Sequence, residues 1–263
     1  MKLIFSRTIN YLKYLLFWRH EGGHGVHSPF VFDLVSSTFR NKISPDIVSK
    51  IENVRKQMIS DKRLLEVRDL GSGSLKAKTR LTSLEKIARY SPVPQKYGIL
   101  LANMASEFGK PYIIEFGTSI GISTMYMASG TGAPVYTMEG SQEISEIAIE
   151  NFRKEGYDNI RVLTGSFEEL LPSIMDLPGN PGLIFIDGNH RKEPVINYFS
   201  KMIKISGNDT VIIIDDIRHS EEMEEAWEII KKDERVTMTV DLWRMGMVFF
   251  REGVTRGNFK IRY

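Results

Sequence analysis

The stretch Tyr112-Ile-Ile-Glu-Phe-Gly-Thr-Ser-Ile-Gly-Ile-Ser123 decides the fold of this chain. It opens with apolar residues, reaches a carboxylate at Glu115, passes through two glycines and leads into helix-like residues. An apolar strand that turns tightly into a helix presents free backbone N–H groups to a ligand. We therefore predict a cofactor of the nucleotide type at this turn.

The chain after Pro111 alternates short apolar segments with amphipathic ones. We predict strands at residues 112–116, 134–138, 160–164, 183–186 and 210–214. Two further strands, at 235–241 and 246–251, are joined by a link too short for a crossover helix and should pair antiparallel. Alternation of this kind is typical of βαβ units. The predicted fold class is α/β, with a doubly wound, seven-stranded, mostly parallel sheet that ends in an antiparallel hairpin.

The chain divides into two predicted parts. Residues 1–91 are expected to form a helical N-terminal extension or lid, and residues 92–263 the α/β domain. Ser28, followed by a proline, is typical of a helix start, and residues 45–59 have helical periodicity. The glycine-rich Asp69–Ser74 follows a charged segment and not a buried strand, so we predict a mobile loop there.

The bulk composition narrows the class of protein. The 263 residues are 42% apolar, enough for a sizeable core, and the formal net charge is only +2, with both signs spread along the chain. No basic field indicates nucleic acid binding, and the lack of cysteine excludes disulfides, thiolate metal sites and a cysteine nucleophile. We expect a cytoplasmic homodimer with a small-molecule partner and no nucleic acid partner.

Residues 1–19 are predicted to form an amphipathic helix packed on the domain or on a partner subunit. Arg7 and Lys13 interrupt the apolar run, and no small-residue cleavage site follows it, which argues against a signal peptide. The run also falls short of the ~18 uncharged residues that a membrane span needs. Trp18 and the basic residues suit a membrane surface, so peripheral membrane contact is the alternative.

The spacing of the glycines separates two kinds of cofactor. A dinucleotide fingerprint needs G-x-G-x-x-G, and its middle glycine is replaced by Ser119 here. From Glu115 to Ser123 the sequence reads E-x-G-x-x-x-G-x-S, which resembles motif I of class I S-adenosylmethionine (SAM) methyltransferases, particularly the catechol-type O-methyltransferases. The resemblance implies a Rossmann-like methyltransferase domain at 92–263, with SAM as cofactor.

That resemblance implies roles for the residues of the motif. Glu115 would lie at the amino end of the SAM methionine moiety, and Ser123 would hold the methionine carboxylate. Gly117 and Gly121 would let the backbone approach the cofactor. The further cofactor-binding residues that it implies are Thr118, Ser119, Gly140 and Asp187.

Two later strand ends are expected to hold the nucleoside part of the cofactor. Glu139 closes the second strand, where a carboxylate accepts hydrogen bonds from ribose hydroxyls. Its alternative role is an N-terminal charge for the next helix. After the third strand, relatives often have G-D-A, whereas this chain has Ser166 and Phe167. Ser166 is expected to make a weaker polar contact with adenine, and Phe167 to pack on the ring or to belong to the core.

Three carboxylates follow the next two strands: Asp187 after the fourth, and Asp215 and Asp216 after the fifth. Carboxylates at adjacent strand ends repel one another unless positive charge lies between them, and oxygen-rich clusters suit Mg²⁺, Ca²⁺ or Mn²⁺. The same positions hold the ion in metal-dependent O-methyltransferases. The resemblance therefore implies a metal site, with Mg²⁺ as the expected ion, and turn or helix-cap roles are the alternative.

His190 lies three residues after Asp187 and is the predicted general base. This position is a lysine in the catechol type and a histidine in sugar-modifying relatives, and a near-neutral pKa suits proton transfer from a hydroxyl. With Asp187 as the second catalytic residue, we predict metal-assisted O-methylation of a small-molecule or sugar hydroxyl. His219 is either a further substrate contact or a solvated helix-start residue.

Two alternatives to this function stay open. One is an NAD-binding oxidoreductase, which the serine at position 119 opposes; the other is a SAM-binding protein without catalysis, which the intact acidic residues and His190 oppose. His20, His24 and His27 have metal-like spacing, but no cysteine or acidic motif accompanies them. We predict a lid or structural role for this segment, with His24 and His27 as candidates for substrate contact.

Overall fold

The structure is a computed structural model that describes Tyr14, residues 27–69 and residues 78–263. Its α-helices are α1 (Pro29–Ser36), α2 (Pro45–Ser60), α3 (Leu84–Tyr90), α4 (Gln95–Phe108), α5 (Ile122–Gly130), α6 (Gln142–Lys154), α7 (Phe167–Met175), α8 (Lys192–Met202) and α9 (Glu221–Ile230). A short 3-10 helix at Thr38–Arg40 separates α1 from α2.

The strands form two sheets. They are β1 (Leu64–Asp69), β2 (Lys78–Ser83), β3 (Ile113–Phe116), β4 (Val135–Glu139), β5 (Ile160–Thr164), β6 (Leu183–Ile186), β7 (Val211–Ile214), β8 (Met238–Asp241), β9 (Gly246–Phe249) and β10 (Gly257–Lys260). β1 and β2 pair antiparallel, and the other eight strands form one sheet in the order β10-β8-β9-β7-β6-β3-β4-β5.

The predicted α/β architecture is confirmed. Strands β3 to β7 run parallel, and β8 and β9 form the predicted antiparallel hairpin, with β9 beside β7. Every residue of β3, β6 and β7 is buried, because helices cover both faces of a parallel sheet. The chain runs outward through β4 and β5 and returns to β6 on the other side of β3. The strand order therefore reverses at β3, and a crevice is expected at the carboxyl ends of β3 and β6.

The main sheet has one strand more than the seven predicted. β10 pairs parallel with β8 at the edge of the sheet, and its residues alternate between half-buried and exposed. Its sequence, Gly-Asn-Phe-Lys, contains no apolar run. A search for apolar strands therefore passes over it, because an edge strand with one exposed face tolerates polar residues.

The segment before residue 91 is helical only in part. Helices α1 and α2 lie where helices were expected, and the Ser28 hydroxyl caps α1 by accepting the N–H of Val31. The charged segment at 64–69, expected to lead into a loop, is instead a strand of the β1–β2 hairpin. Leu65 is buried while Leu64 is largely exposed, the alternation of a hairpin with one solvated face. Of the predicted loop at 69–74, Asp69 is the last residue of β1, and residues 70–74 lie outside the described residues.

The N-terminal helices share one hydrophobic core with the sheet. Val31 of α1, Ile51 of α2 and Leu84 of α3 belong to the same buried cluster as Leu100 of α4 and Met125 of α5. No helix in the described part of the chain is long and apolar enough to cross a bilayer. The predicted helix at 1–19 lies outside the described residues apart from Tyr14, whose hydroxyl donates to the main-chain oxygen of the C-terminal residue at 3.0 Å.

Candidate active site

The loop after β3 packs against the end of β6, at the point where the strand order reverses. Gly117 and Gly121 both have left-handed backbone conformations, with φ of 95° and 88°. A Cβ atom on Gly117 would lie 2.3 Å from the carbonyl oxygen of Asp187, and one on Gly121 would lie 2.3 Å from the ring of Phe152. Backbone conformation and close packing therefore both require glycine at these two positions.

Glu115, at the end of β3, is fully buried and surrounded by hydroxyl groups. Its carboxylate accepts hydrogen bonds from Ser123 Oγ at 2.6 Å, Thr124 Oγ1 at 2.5 Å and Thr137 Oγ1 at 2.6 Å. Thr118 Oγ1 lies 2.6 Å from Thr137 Oγ1. Since Thr137 gives its proton to the ionised carboxylate, Thr118 donates to Thr137. Glu115 thus ends a chain of hydroxyls beneath the loop.

This hydroxyl network engages the side chains of Ser123 and Thr118, whose contact with a cofactor stays a prediction. A hydroxyl has one proton to donate, and Ser123 gives its proton to Glu115 and not to a bound carboxylate. Thr118 is buried, and its N–H donates to the carbonyl of Met138 at 3.1 Å. Both residues therefore hold the loop in shape. The donors left for a ligand are the first N–H groups of α5, which have no partner within the helix.

Burial raises the pKa of Glu115 from an ordinary value of 4.5 to about 7, and the three hydroxyl bonds oppose the shift. The folded protein therefore binds this proton more tightly than the unfolded chain does. The stability that Glu115 contributes is complete below pH 4.5 and is lost as the pH rises through about 7.

Replacing Glu115 with glutamine, which has no proton to lose, is expected to flatten this dependence. As the pH is raised from below 4.5 to above about 7, the free energy of unfolding of Glu115→Gln should rise relative to that of wild type by about 3 kcal/mol. Urea unfolding of both proteins at several pH values between about 5 and 8 measures it. The exposed Glu107→Gln is the control and should follow wild type. Parallel profiles for Glu115→Gln and wild type would contradict the assignment.

Glu139 ends β4 and is held by backbone donors. Its Oε2 accepts the N–H of Ser119 and its Oε1 the N–H of Ser141, both at 2.9 Å. Burial raises the pKa of Glu139, and the backbone N–H groups of Ser141, Ser119 and Gly140 oppose that shift. A carboxylate has about four acceptor positions, so both oxygens can still accept a hydroxyl proton.

Two buried side-chain oxygens have no hydrogen-bond partner within the described residues: Ser119 Oγ and Ser141 Oγ. Both belong to the residues whose N–H groups hold Glu139. Unpaired buried polar atoms are rare in folded proteins, and leaving one without a partner costs free energy. The alternative role of Glu139, as a charge at a helix start, does not explain the two unpaired hydroxyls.

Ser166 and Phe167, which are expected to contact adenine, also have structural roles. Ser166 caps α7: its hydroxyl donates to Glu169 Oε2 at 2.7 Å and accepts the N–H of Glu169 at 3.3 Å. Phe167 is half-buried, with its ring centroid 5.4 Å from that of Phe116 and 5.5 Å from that of Tyr198. The core alternative for Phe167 therefore has structural support. Contact of either residue with adenine stays a prediction.

The predicted acidic cluster is present, and the guanidinium of Arg244 lies against it. Asp215 is fully buried, and Arg244 donates to both of its oxygens, from Nε to Oδ1 at 2.9 Å and from Nη2 to Oδ2 at 2.6 Å. Nη2 also lies 3.3 Å from Asp216 Oδ1. Burial raises the pKa of Asp215 to about 6, and the bonds from Arg244 oppose the shift. Burial and the charges of Asp215 and Asp216 raise the pKa of Asp187.

This arrangement does not fit the divalent metal ion expected at Asp187, Asp215 and Asp216. The oxygens that such an ion would bind on Asp215 already accept hydrogen bonds from Arg244. Across residues 27–69 and 78–263, no group of three or more His, Cys, Asp or Glu side chains has the arrangement of a metal site. The need for positive charge among the carboxylates was correctly predicted, but Arg244, which the sequence analysis did not single out, supplies it.

His190 lies in the loop after β6, beside the acidic cluster. Its Nε2 is 3.6 Å from Asp187 Oδ1, and its ring centroid is 5.6 Å from that of His219. Burial lowers the pKa of His190, so the neutral imidazole that can accept a proton is favoured. Of the other histidines, His27 is exposed; the remaining two N-terminal histidines lie outside the described residues.

The sequence is similar to known methyltransferases. Residues 114–217 match the family model described as methyltransferase domain. The chain is 30% identical over 129 residues to the catechol O-methyltransferase of Mycobacterium tuberculosis, in a match that covers 48% of this chain and 56% of that protein. It spans about half the length of the curated relatives that it matches.

Solved structures share the fold. Cofactor-bound Rv0187 from MTB matches with a TM-score of 0.57 and 18% identity, over 85% of this chain and 95% of that one. The O-methyltransferase from Bacillus cereus in complex with SAH matches with a TM-score of 0.56 and 23% identity, over 84% and 97%. Residues 114–217, which carry the loop after β3, Glu139 and the aspartates, are thus similar to a methyltransferase domain, and the chain has the Rossmann-like fold of solved O-methyltransferases.

Proposed function

We propose that this chain is a SAM-dependent O-methyltransferase that acts on a hydroxyl of a small molecule or a sugar. The corner at Glu139 carries the proposal, because a half-buried carboxylate held by backbone N–H groups and the unpaired hydroxyls of Ser119 and Ser141 meet there. These groups fit the two ribose hydroxyls of SAM. The methyltransferase match over residues 114–217 and the likeness to a catechol O-methyltransferase support the same function.

The cofactor half of the site lies between β3 and β4. Glu139 would accept hydrogen bonds from the ribose, and the first N–H groups of α5 would bind the methionine carboxylate, since a helix N-terminus attracts anions. Glu115 lies beneath the same loop and adds negative charge that favours the ammonium group of methionine. When bound, SAM supplies a methyl group already activated by a positively charged sulfur.

The acceptor half lies at the ends of β6 and β7. The acceptor hydroxyl must lose its proton as its oxygen bonds to the methyl group, and His190 takes that proton on a ring nitrogen. Asp187 Oδ1 lies 3.6 Å from His190 Nε2, and the charge of Asp216 favours the imidazolium that results. Holding the acceptor close to the methyl group contributes much of the rate enhancement, because the donor is already reactive.

No step of this proposal uses a divalent metal ion, because Arg244 engages Asp215 and Asp216, two of the three carboxylates that would hold one. The NAD-binding oxidoreductase gains no support, since the described similarities are to methyltransferases and O-methyltransferases. A non-catalytic SAM-binding protein would have no use for a neutral His190 beside the acidic cluster.

Transfer of a labelled methyl group tests the proposal. The chain is incubated with methyl-labelled SAM and a panel of phenols, catechols and sugars, and the products are identified by mass spectrometry and NMR. We expect label on an acceptor oxygen, with one molecule of S-adenosylhomocysteine formed per methyl transferred. The control is Glu139→Ala, which should form much less product at limiting SAM. Label on nitrogen or carbon would contradict O-methylation.

A further inference from the structure

Arg244 provides a built-in cation in the acceptor half of the site. Its Nε and Nη2 donate to both oxygens of buried Asp215, and Nη2 also lies 3.3 Å from Asp216 Oδ1. A guanidinium that binds a carboxylate through two parallel bonds keeps its charge and has a fixed orientation. The side chain of Arg244 is 26% exposed, whereas that of Asp215 is not exposed at all. The guanidinium is thus paired with the buried acid, and part of the Arg244 side chain stays exposed.

The main chain fixes Arg244 as well. The residue lies in the turn between β8 and β9, which the N–H of Leu242 closes by donating to the carbonyl of Met245 at 2.9 Å. The carbonyl of Arg244 accepts the N–H of Ile217 at 3.0 Å, so the turn is tied to the loop that carries the aspartates. The guanidinium therefore reaches the cluster from an anchored backbone, not from a free loop.

Arg244 engages oxygens of the acidic cluster that a hard cation would need. Mg²⁺ takes about six oxygens in a near-octahedral arrangement, and Ca²⁺ about six to eight. Both oxygens of Asp215 are bonded to Arg244, and one oxygen of Asp216 faces the same guanidinium. An ion at these oxygens would also lie against a like charge, which disfavours binding. The ion and the guanidinium are therefore alternatives for the same place.

We propose that Arg244 takes the place of the divalent ion in this site. Its charge stabilises the ionised aspartates, and its Nη1, which makes no hydrogen bond within the described residues, binds the acceptor oxygen. The role at the acceptor rests on the proposed methyl transfer. The exclusion of the ion rests on the contacts of Arg244 alone.

Binding of Mn²⁺ to the metal-free full chain, followed by electron paramagnetic resonance, tests this inference. We expect wild type to bind no stoichiometric Mn²⁺. Arg244→Ala removes the guanidinium and frees the carboxylates, so it should bind one Mn²⁺ at least about tenfold more tightly than wild type. Arg244→Lys keeps the charge and is the matched control, which should resemble wild type.

Two results would overturn the inference. One is stoichiometric Mn²⁺ binding by wild type that Asp216→Asn abolishes; the other is a folded Arg244→Ala variant that binds Mn²⁺ no better than wild type. If Arg244→Ala does not fold, as circular dichroism would show, wild type and Arg244→Lys decide the matter. SAM titration of the same samples separates the two proposals, because loss of SAM binding contradicts the methyltransferase function and not the exclusion of the ion.

Discussion

Turnover of the His190→Ala variant is expected to fall by about 10²–10⁴-fold, with SAM affinity nearly unchanged, because general base catalysis contributes a factor of that size. Burial lowers the pKa of His190, so the side chain is ready to accept a proton. It lies at the end of β6, apart from the corner at Glu139 that would hold the ribose. The acceptor found with labelled SAM provides the kinetic assay, and calorimetry gives the SAM affinity.

The His190→Gln variant separates a base from a merely structural residue. Glutamine keeps a hydrogen-bonding group near Asp187 but cannot take up a proton at neutral pH. We expect His190→Gln to be as slow as His190→Ala. Recovery of turnover in His190→Gln would show that the side chain orients its neighbours and that another group accepts the proton.

The free energy of unfolding of Arg244→Met is expected to fall by about 3–5 kcal/mol, since the variant leaves a buried carboxylate without its partner. Asp215 has no exposed surface and both of its oxygens accept from Arg244. Methionine keeps much of the apolar stem, so the loss reports on the charge and its hydrogen bonds more than on packing. Urea unfolding at neutral pH measures the change.

The double variant Asp215→Asn with Arg244→Met is the control for that prediction. With both members of the pair replaced by uncharged groups, no buried charge is left over, and we expect most of the lost stability to return. If the losses of the two single variants simply add in the double variant, then Asp215 and Arg244 do not act as a pair, contrary to their bidentate contact.

Much of the fold follows from local sequence. The run at Val211–Ile214 is apolar throughout and is buried throughout, so its strand and its central place in the sheet are predictable from composition. The strand ends were predictable too, because parallel strands place their carboxyl ends at one edge. Asp216 is accordingly close enough to raise the pKa of both Asp187 and Asp215.

The hydroxyl network around Glu115 could not be read from the sequence. Ser123 and Thr124 come from α5 and Thr137 from β4. Spacing places a serine near the cofactor loop, but it does not tell whether the hydroxyl faces a ligand or a buried acid. That choice depends on side-chain rotamers and on the packing between elements.

The position of Arg244 near the acids follows in part from the sequence. The hairpin was predicted, and β9 runs antiparallel to β7, so Gly246 pairs with Ile214 and the turn before it lies at the carboxyl edge. A basic residue in that turn was therefore a candidate partner for the acids. Sequence alone cannot tell whether its guanidinium reaches buried Asp215 or stays in solvent, since both orientations leave the backbone unchanged.

Calorimetric titration with SAM, and separately with NAD, tests the cofactor assignment most directly. We expect one SAM to bind per chain, with an affinity that a chelator does not change. Glu139→Ala should weaken SAM binding by roughly 10–100-fold, because charge-assisted hydrogen bonds to the ribose are lost. NAD should not bind measurably. Binding of NAD with no binding of SAM would contradict the assignment of the Glu139 corner and the methyltransferase function that depends on it.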